Sequence, residues 1–175
     1  MHSHAQGGFS LMEVLVALVI LTTGILGTVA MQLTAKRGSY GALERTQAVN
    51  LANDLLERVR SNPSELANYA ANYGSGQTVS AADKCSSSSY CSPAALRQWD
   101  QFQWHQQLMG ADTKENTQNV AVLGNAVGCV TVSANAITVV VSWQGIHGIG
   151  DADAASSCGT ASDKRRLVSV SSVIL

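Results

Sequence analysis

Charge is scarce in this chain. Asp, Glu, Lys and Arg make up 13% of its 175 residues, where about a quarter is usual, so Ser, Thr, Asn, Gln and Gly carry the solubility. Lys and Arg total 11 against 12 Asp and Glu, a formal net charge of -1. That balance gives no basic footprint for nucleic acid. Catalytic signatures are missing as well: G-x-S-x-G, H-E-x-x-H and the phosphate-loop pattern do not occur. His2 and His4 stand at the start of the chain, and His105 and His147 lack the spaced partners of a metal site. Asp151-Ala152-Asp153 begins like a calcium loop but has neither its glycine nor its closing glutamate, and reads as a solvated acidic loop. Gly145-Ile146-His147-Gly148-Ile149-Gly150 comes after a strand pattern without opening a helix, and reads as a flexible turn. The expectation is a protein that is not an enzyme, with no catalytic residue, no metal and no cofactor. The composition suits an exported surface protein.

One long apolar run dominates what is present. From Val14 to Met31 no residue is charged, a length that suits a membrane-spanning helix of about 20 residues. Glu13 stands at the head of this run. An acidic side chain inside such a segment costs up to roughly 2.5–3.5 kcal/mol, less toward its end, and usually has a partner and a purpose. A secretory signal peptide would carry a basic start, an apolar core of about 7–15 residues and a small-residue cleavage site. Here the run is longer, contains an acid, and is succeeded by Leu33-Thr34-Ala35, a poor cleavage site.

The stretch Gly7-Gly8-Phe9-Ser10-Leu11-Met12-Glu13-Val14-Leu15-Val16-Ala17-Leu18 resembles the N-terminus of type IV pilins and pseudopilins. The resemblance implies that a prepilin peptidase cuts after Gly8 and that Phe9 becomes the N-methylated first residue. Glu13, then fifth in the mature chain, would serve filament assembly. Physical chemistry fits that role. The new amine is largely cationic at neutral pH and attracts the Glu13 carboxylate strongly in a medium of low dielectric. Pairing removes two isolated charges from lipid. A partner amine on a neighbouring subunit would also fix axial register. The alternative is a glutamate that snorkels to the membrane interface. The leader departs from the usual pattern in having no Lys or Arg, whereas Lys36 and Arg37 lie beyond the span. The positive-inside rule alone would orient the chain the other way. The leader resemblance and the cysteines point instead to a C-terminal part outside the cytoplasm.

All four cysteines, Cys85, Cys91, Cys129 and Cys158, lie after the apolar run. An even number in a domain that reads as exported implies two disulfides, with three connectivities open. Pairing nearest neighbours gives Cys85–Cys91 and Cys129–Cys158. Chain entropy assigns these loops about 2.4 and about 3.6 kcal/mol. A four-cysteine zinc site would need a C-x₂₋₄-C pair, which the spacing lacks.

The helical pattern resumes beyond the apolar run. Val49, Ala52, Leu55, Leu56 and Val59 recur at three- and four-residue steps, with Glu44, Arg45, Asn50, Asp54, Glu57 and Arg58 opposite. Asn62-Pro63 ends it. One helix from Phe9 to about Ser61 would extend roughly 80 Å. Gly24, Gly27, Gly38 and Gly41 are its weak points, marking bends or close contacts in a filament, or, for Gly24 and Gly27, ordinary membrane-helix glycine. Residues 64–92 read as loop. Ser92-Pro93 reads as N-cap and first helical position of a short helix to about Met109. Ala95, Trp99 and Phe102 form its apolar stripe, and core packing is expected for Trp99, Phe102 and Trp104. Residues 128–133 and 136–143 alternate as a hairpin across Ala134-Asn135, with Ile137, Val139, Val141 and Trp143 on one face. A loop from Gly145 to about Asp163 precedes Lys164-Arg165-Arg166, basic residues that keep a strand end solvated or bind a partner. Val168, Val170 and Ile174 alternate after them.

A long helix on an antiparallel sheet is an α+β layout, and the resemblance implies the type IV pilin fold. The expected domains are a leader (1–8), a transmembrane and filament-core helix (9–35) and a periplasmic head (36–175). The opening residues, Gly24-Ile25-Leu26-Gly27, Met31-Gln32, the cysteine pair before Trp99 and Val141-Ser142-Trp143 resemble PilV-type minor pilins, also called type IV pilus modification proteins. That likeness implies a low-abundance subunit of a tip or priming complex. Its implied partners are other minor pilins, the major pilin, the prepilin peptidase, inner-membrane assembly machinery, a tip adhesin and the membrane. Its implied location is the bacterial inner membrane, then the surface pilus. A minor pseudopilin of type II secretion starts almost identically and stays open, as does a membrane-tethered domain outside any filament.

Overall fold

The computed structural model describes residues 8, 10–85, 90–111, 114–116, 118–119, 121–148 and 156–175. Helix α1 covers Leu11–Ser61. A 3₁₀ helix (Pro63–Tyr69), strand β1 (Ala71–Gly74) and helix α2 (Pro93–Leu108) come next. Then come β2 (Lys114–Glu115), β3 (Gln118–Asn119), β4 (Gly124–Ser133), β5 (Ala136–Gln144) and β6 (Arg165–Val173). The chain divides into two units, 1–42 and 43–175. The C-terminal part of α1, packed on a four-stranded antiparallel sheet, makes this an α+β protein.

In the second unit the sheet runs β1-β4-β5-β6, every pair antiparallel. Ser133 faces Ala136 across the two-residue turn Ala134-Asn135, where Ala134 takes a positive φ of 51°. The alternating face of β5 is fully used: Ile137, Val139, Val141 and Trp143 are all buried. Against them lie Ala48, Leu51, Ala52, Leu55, Leu56 and Val59 of α1. The buried stripe of α1 includes Ala48 and Leu51, while Val49 lies at its margin and is only half-buried. Two indole N–H groups fasten the layers. Trp104 Nε1 donates to the Leu51 carbonyl at 2.8 Å, and Trp143 Nε1 donates to Glu44 at 3.0 Å.

Proline marks both helix junctions. α1 ends at Ser61, before Asn62-Pro63. Ser92 Oγ caps α2 by accepting from Ala95 N at 3.3 Å, with Pro93 next. Asn62, itself buried, donates to the Pro93 carbonyl at 2.8 Å and so joins the two junctions.

The inner face of α2 differs from the expected stripe. Asp100, Trp104 and Leu108 are buried, whereas Trp99 and Phe102 are half-buried. The reason is polar pairing. Asp100 accepts from Tyr69 Oη at 2.7 Å and from Arg58 at 3.3 Å, and a carboxylate satisfied in this way can turn inward. Trp104 meets Tyr73 edge-on, ring centroids 5.1 Å apart.

Residues 64–92 are not all loop, since the 3₁₀ helix and β1 fall among them. Arg165 corrects a second expectation. It is 1% exposed rather than solvated, and its guanidinium donates to the Ser156 and Cys158 carbonyls at 2.7 and 3.3 Å. Lys164 does remain exposed, and Arg166 donates to the His147 carbonyl. Cys85 bonds Cys91, and Cys129 bonds Cys158, with Cα atoms 5.6 and 5.8 Å apart. The second bridge and Arg165 together hold residues 156–159 against the outer face of the sheet.

Candidate functional site

The N-terminal segment carries the chemistry singled out in the sequence. Gly8 is exposed, and a side chain at this position would meet nothing within 4 Å. Phe9 lies outside the described residues, as do Asp151, Asp153, Ile149 and Gly150 of the acidic and glycine-rich stretches. α1 begins just after Ser10, whose carbonyl accepts from Glu13 N at 3.0 Å and Val14 N at 3.2 Å. Ser10 Oγ faces Met12 N at 3.4 Å. Glu13 thus occupies the first turn, where the positive end of the helix dipole favours a carboxylate. Ser10-Leu11-Met12-Glu13 has the S-x-x-E spacing of a capping box, a local signal that marks this helix start independently of the apolar run.

Beyond Glu13 the helix is exposed and apolar. Leu15, Leu18, Ile20, Leu21, Ile25, Leu26 and Leu33 each leave more than half of their surface open. An 18-residue window within α1 has a mean hydropathy of 2.4 and none of it is buried. By length and composition this segment can cross a membrane. Its threonine hydroxyls are satisfied internally. Thr22, Thr23, Thr28 and Thr34 donate to carbonyls three or four residues back, at 2.8–3.1 Å. Such back-bonding pairs these hydroxyls within the helix in an apolar medium. Glu13 supplies the carboxylate at the head of that run.

The remaining titratable groups of note serve the head. Burial works against the Arg58 charge, but the carboxylates of Asp54 and Asp100 outweigh it and raise its pKa. Burial raises the Tyr69 phenol beyond its usual range, and pushes Tyr73 up to about 12. Desolvation lowers the His105 pKa, and its Nδ1 accepts from Gly74 N at 3.0 Å. Among the described residues no cluster of His, Cys, Asp or Glu could hold a metal.

Two family models match the chain. One, for the prokaryotic N-terminal methylation motif, covers residues 3–29. The other, type IV pilin Tt1218, covers residues 30–102. The protein is type IV pilin-like. No curated protein and no solved structure matches it. The α+β architecture of this pilin-like chain is that of the type IV pilin fold. Such pilins are structural subunits rather than enzymes, and they associate with other pilins and with pilus assembly machinery. The methylation motif and the apolar helix fit membrane anchoring before assembly.

Proposed function

We propose that this pilin-like protein is a minor type IV pilin. It waits in the bacterial inner membrane as a single-pass subunit, its head in the periplasm. A prepilin peptidase cuts between Gly8 and Phe9, and the Phe9 amine is methylated. The subunit then joins other minor pilins, the major pilin and a tip adhesin in a complex that primes the filament. Two disulfides in the head support an oxidising compartment on that side of the membrane.

The observation that carries the proposal is the place of Glu13. It is an exposed carboxylate in the first turn of a helix that is otherwise apolar and exposed up to Met31, within residues matched by the methylation motif. A neighbour of opposite charge offsets its solvation cost in lipid. The cationic terminus of an adjacent subunit supplies such a neighbour and sets the stagger between helices.

Mass determination of the protein recovered from cells tests the processing step. The expected species begins at methylated Phe9, and Gly8→Leu is expected to retain the leader. A native chain that still begins with Met1 would sink the proposal. Filament shearing separates pilus from secretion: recovery in small amounts beside a major pilin is the expected result. Loss of exoprotein export on deletion, with no trace in surface filaments, would assign the chain to a type II pseudopilus.

A further inference from the structure

We propose that the outward face of α2 is a binding site for a neutral saccharide. Trp99 and Phe102 are left out of the core, which takes Trp104 instead. Their rings stand 5.9 Å apart with planes inclined at 35°. With Gln103, Gln106 and Gln107 they bound a cleft of about 160 Å³, the size of one sugar ring.

The polar groups of this cleft are amides, and their bonding is incomplete. Gln103 Oε1 accepts from Arg58 at 2.8 Å, which orients the side chain and leaves its N–H donors uncommitted. The Gln106 side chain has no hydrogen bond among the described residues. Gln107 Oε1 is buried without a partner among them, an arrangement native proteins rarely keep. Turning that amide toward the cleft loses no bond at this oxygen and gains one from a ligand hydroxyl. Five of the sixteen residues of α2 are glutamine, each able to donate and accept.

Charge narrows the ligand. No lining residue is ionised, and Arg58 behind Gln103 is matched by Asp54 and Asp100. Nucleic acid or another polyanion would need free cations. Aromatic faces take an apolar surface, and amides around them take hydroxyls. A pyranose presents both: a C–H face for the rings and a rim of hydroxyls for the amides. None of the lining residues belongs to the N-terminal segment that carries Glu13.

The test uses the full chain in a sugar-free detergent, titrated with chitotetraose and maltotetraose, with tetragalacturonate as the charged comparison. Tryptophan fluorescence and saturation-transfer NMR report binding. The expected result is saturable binding of at least one neutral oligosaccharide, about tenfold weaker or more in Trp99→Ala and weaker again in Trp99→Ala/Gln106→Ala. Buried Trp104 monitors folding by near-UV circular dichroism, and Gln106→Ala alone provides a milder variant. Absence of binding to both neutral sugars overturns the proposal, as does unaltered binding in folded Trp99→Ala. Site-specific crosslinking from position 106 to another pilin subunit, with no saccharide binding, would show the face to be a protein interface instead.

Discussion

At the scale of single residues, Gly128 and Trp104 form a close fit in the head. A methyl group at 128 would collide with the Trp104 ring and press on Leu108, and Trp104 is fully buried and hydrogen-bonded to α1. Gly128→Ala is therefore expected to destabilise the head by about 1–3 kcal/mol, the usual cost of overpacking, measured by urea unfolding. Gly24→Ala is the control, since its methyl would meet nothing within 4 Å, and head unfolding should not move. Titration provides a second residue-scale prediction. Desolvation lowers the His105 pKa in the fold, so the unfolded chain binds its proton first, and stability falls as pH drops below about 6.5. Tyr69 and Tyr73 keep their protons longer in the fold than out of it. Their contribution is whole below about pH 10 and is lost as pH rises toward 12. Unfolding midpoints across pH should show both limbs, and His105→Gln should flatten the acid one. An acid limb unchanged in that variant would assign it to other groups.

Among the elements, the strap over the outer sheet face is expected to matter more than the small loop before α2. The Cys129–Cys158 bridge joins residues 29 apart in sequence and the Cys85–Cys91 bridge residues only 6 apart. Serine pairs at 129 and 158 should cost about 3.6 kcal/mol, and at 85 and 91 about 2.4 kcal/mol, if unfolded-chain entropy dominates. Denaturant unfolding of the two double variants checks the order. A reversed order would place the weight on native contacts of the short loop. The elements also show how far local pattern reaches. Asn62-Pro63, Ser92-Pro93 and the alternation of β5 act through neighbours in sequence, and each is legible directly. β1 is not: Ala71-Asn72-Tyr73-Gly74 has no alternation of its own and exists by pairing with β4. The turned face of α2 is hidden for a similar reason. Apolar periodicity selects Trp99 and Phe102, while the fold buries Asp100 because Arg58 and Tyr69 reach it from distant positions. Arg165 has the local pattern of a solvated strand end because the carbonyls that receive it belong to a crossing segment.

For the whole molecule, the N-terminal motif is the most legible part, because the methylation motif and the apolar run are features of linear sequence. Glu13→Gln tests the charge at its centre. The variant is expected to insert and to be cleaved, yet to appear in sheared filaments at a small fraction of the native level, quantified by immunoblot against membrane-retained protein. Native incorporation would remove the charge pair from the account of assembly. The head offers a further consequence. The indole bonds of Trp143 and Trp104 reach α1 at Glu44 and Leu51, seven residues and about 10.5 Å apart along the axis. Traction delivered along the helix would therefore meet two fasteners loaded together in shear, rather than a single one peeled open first.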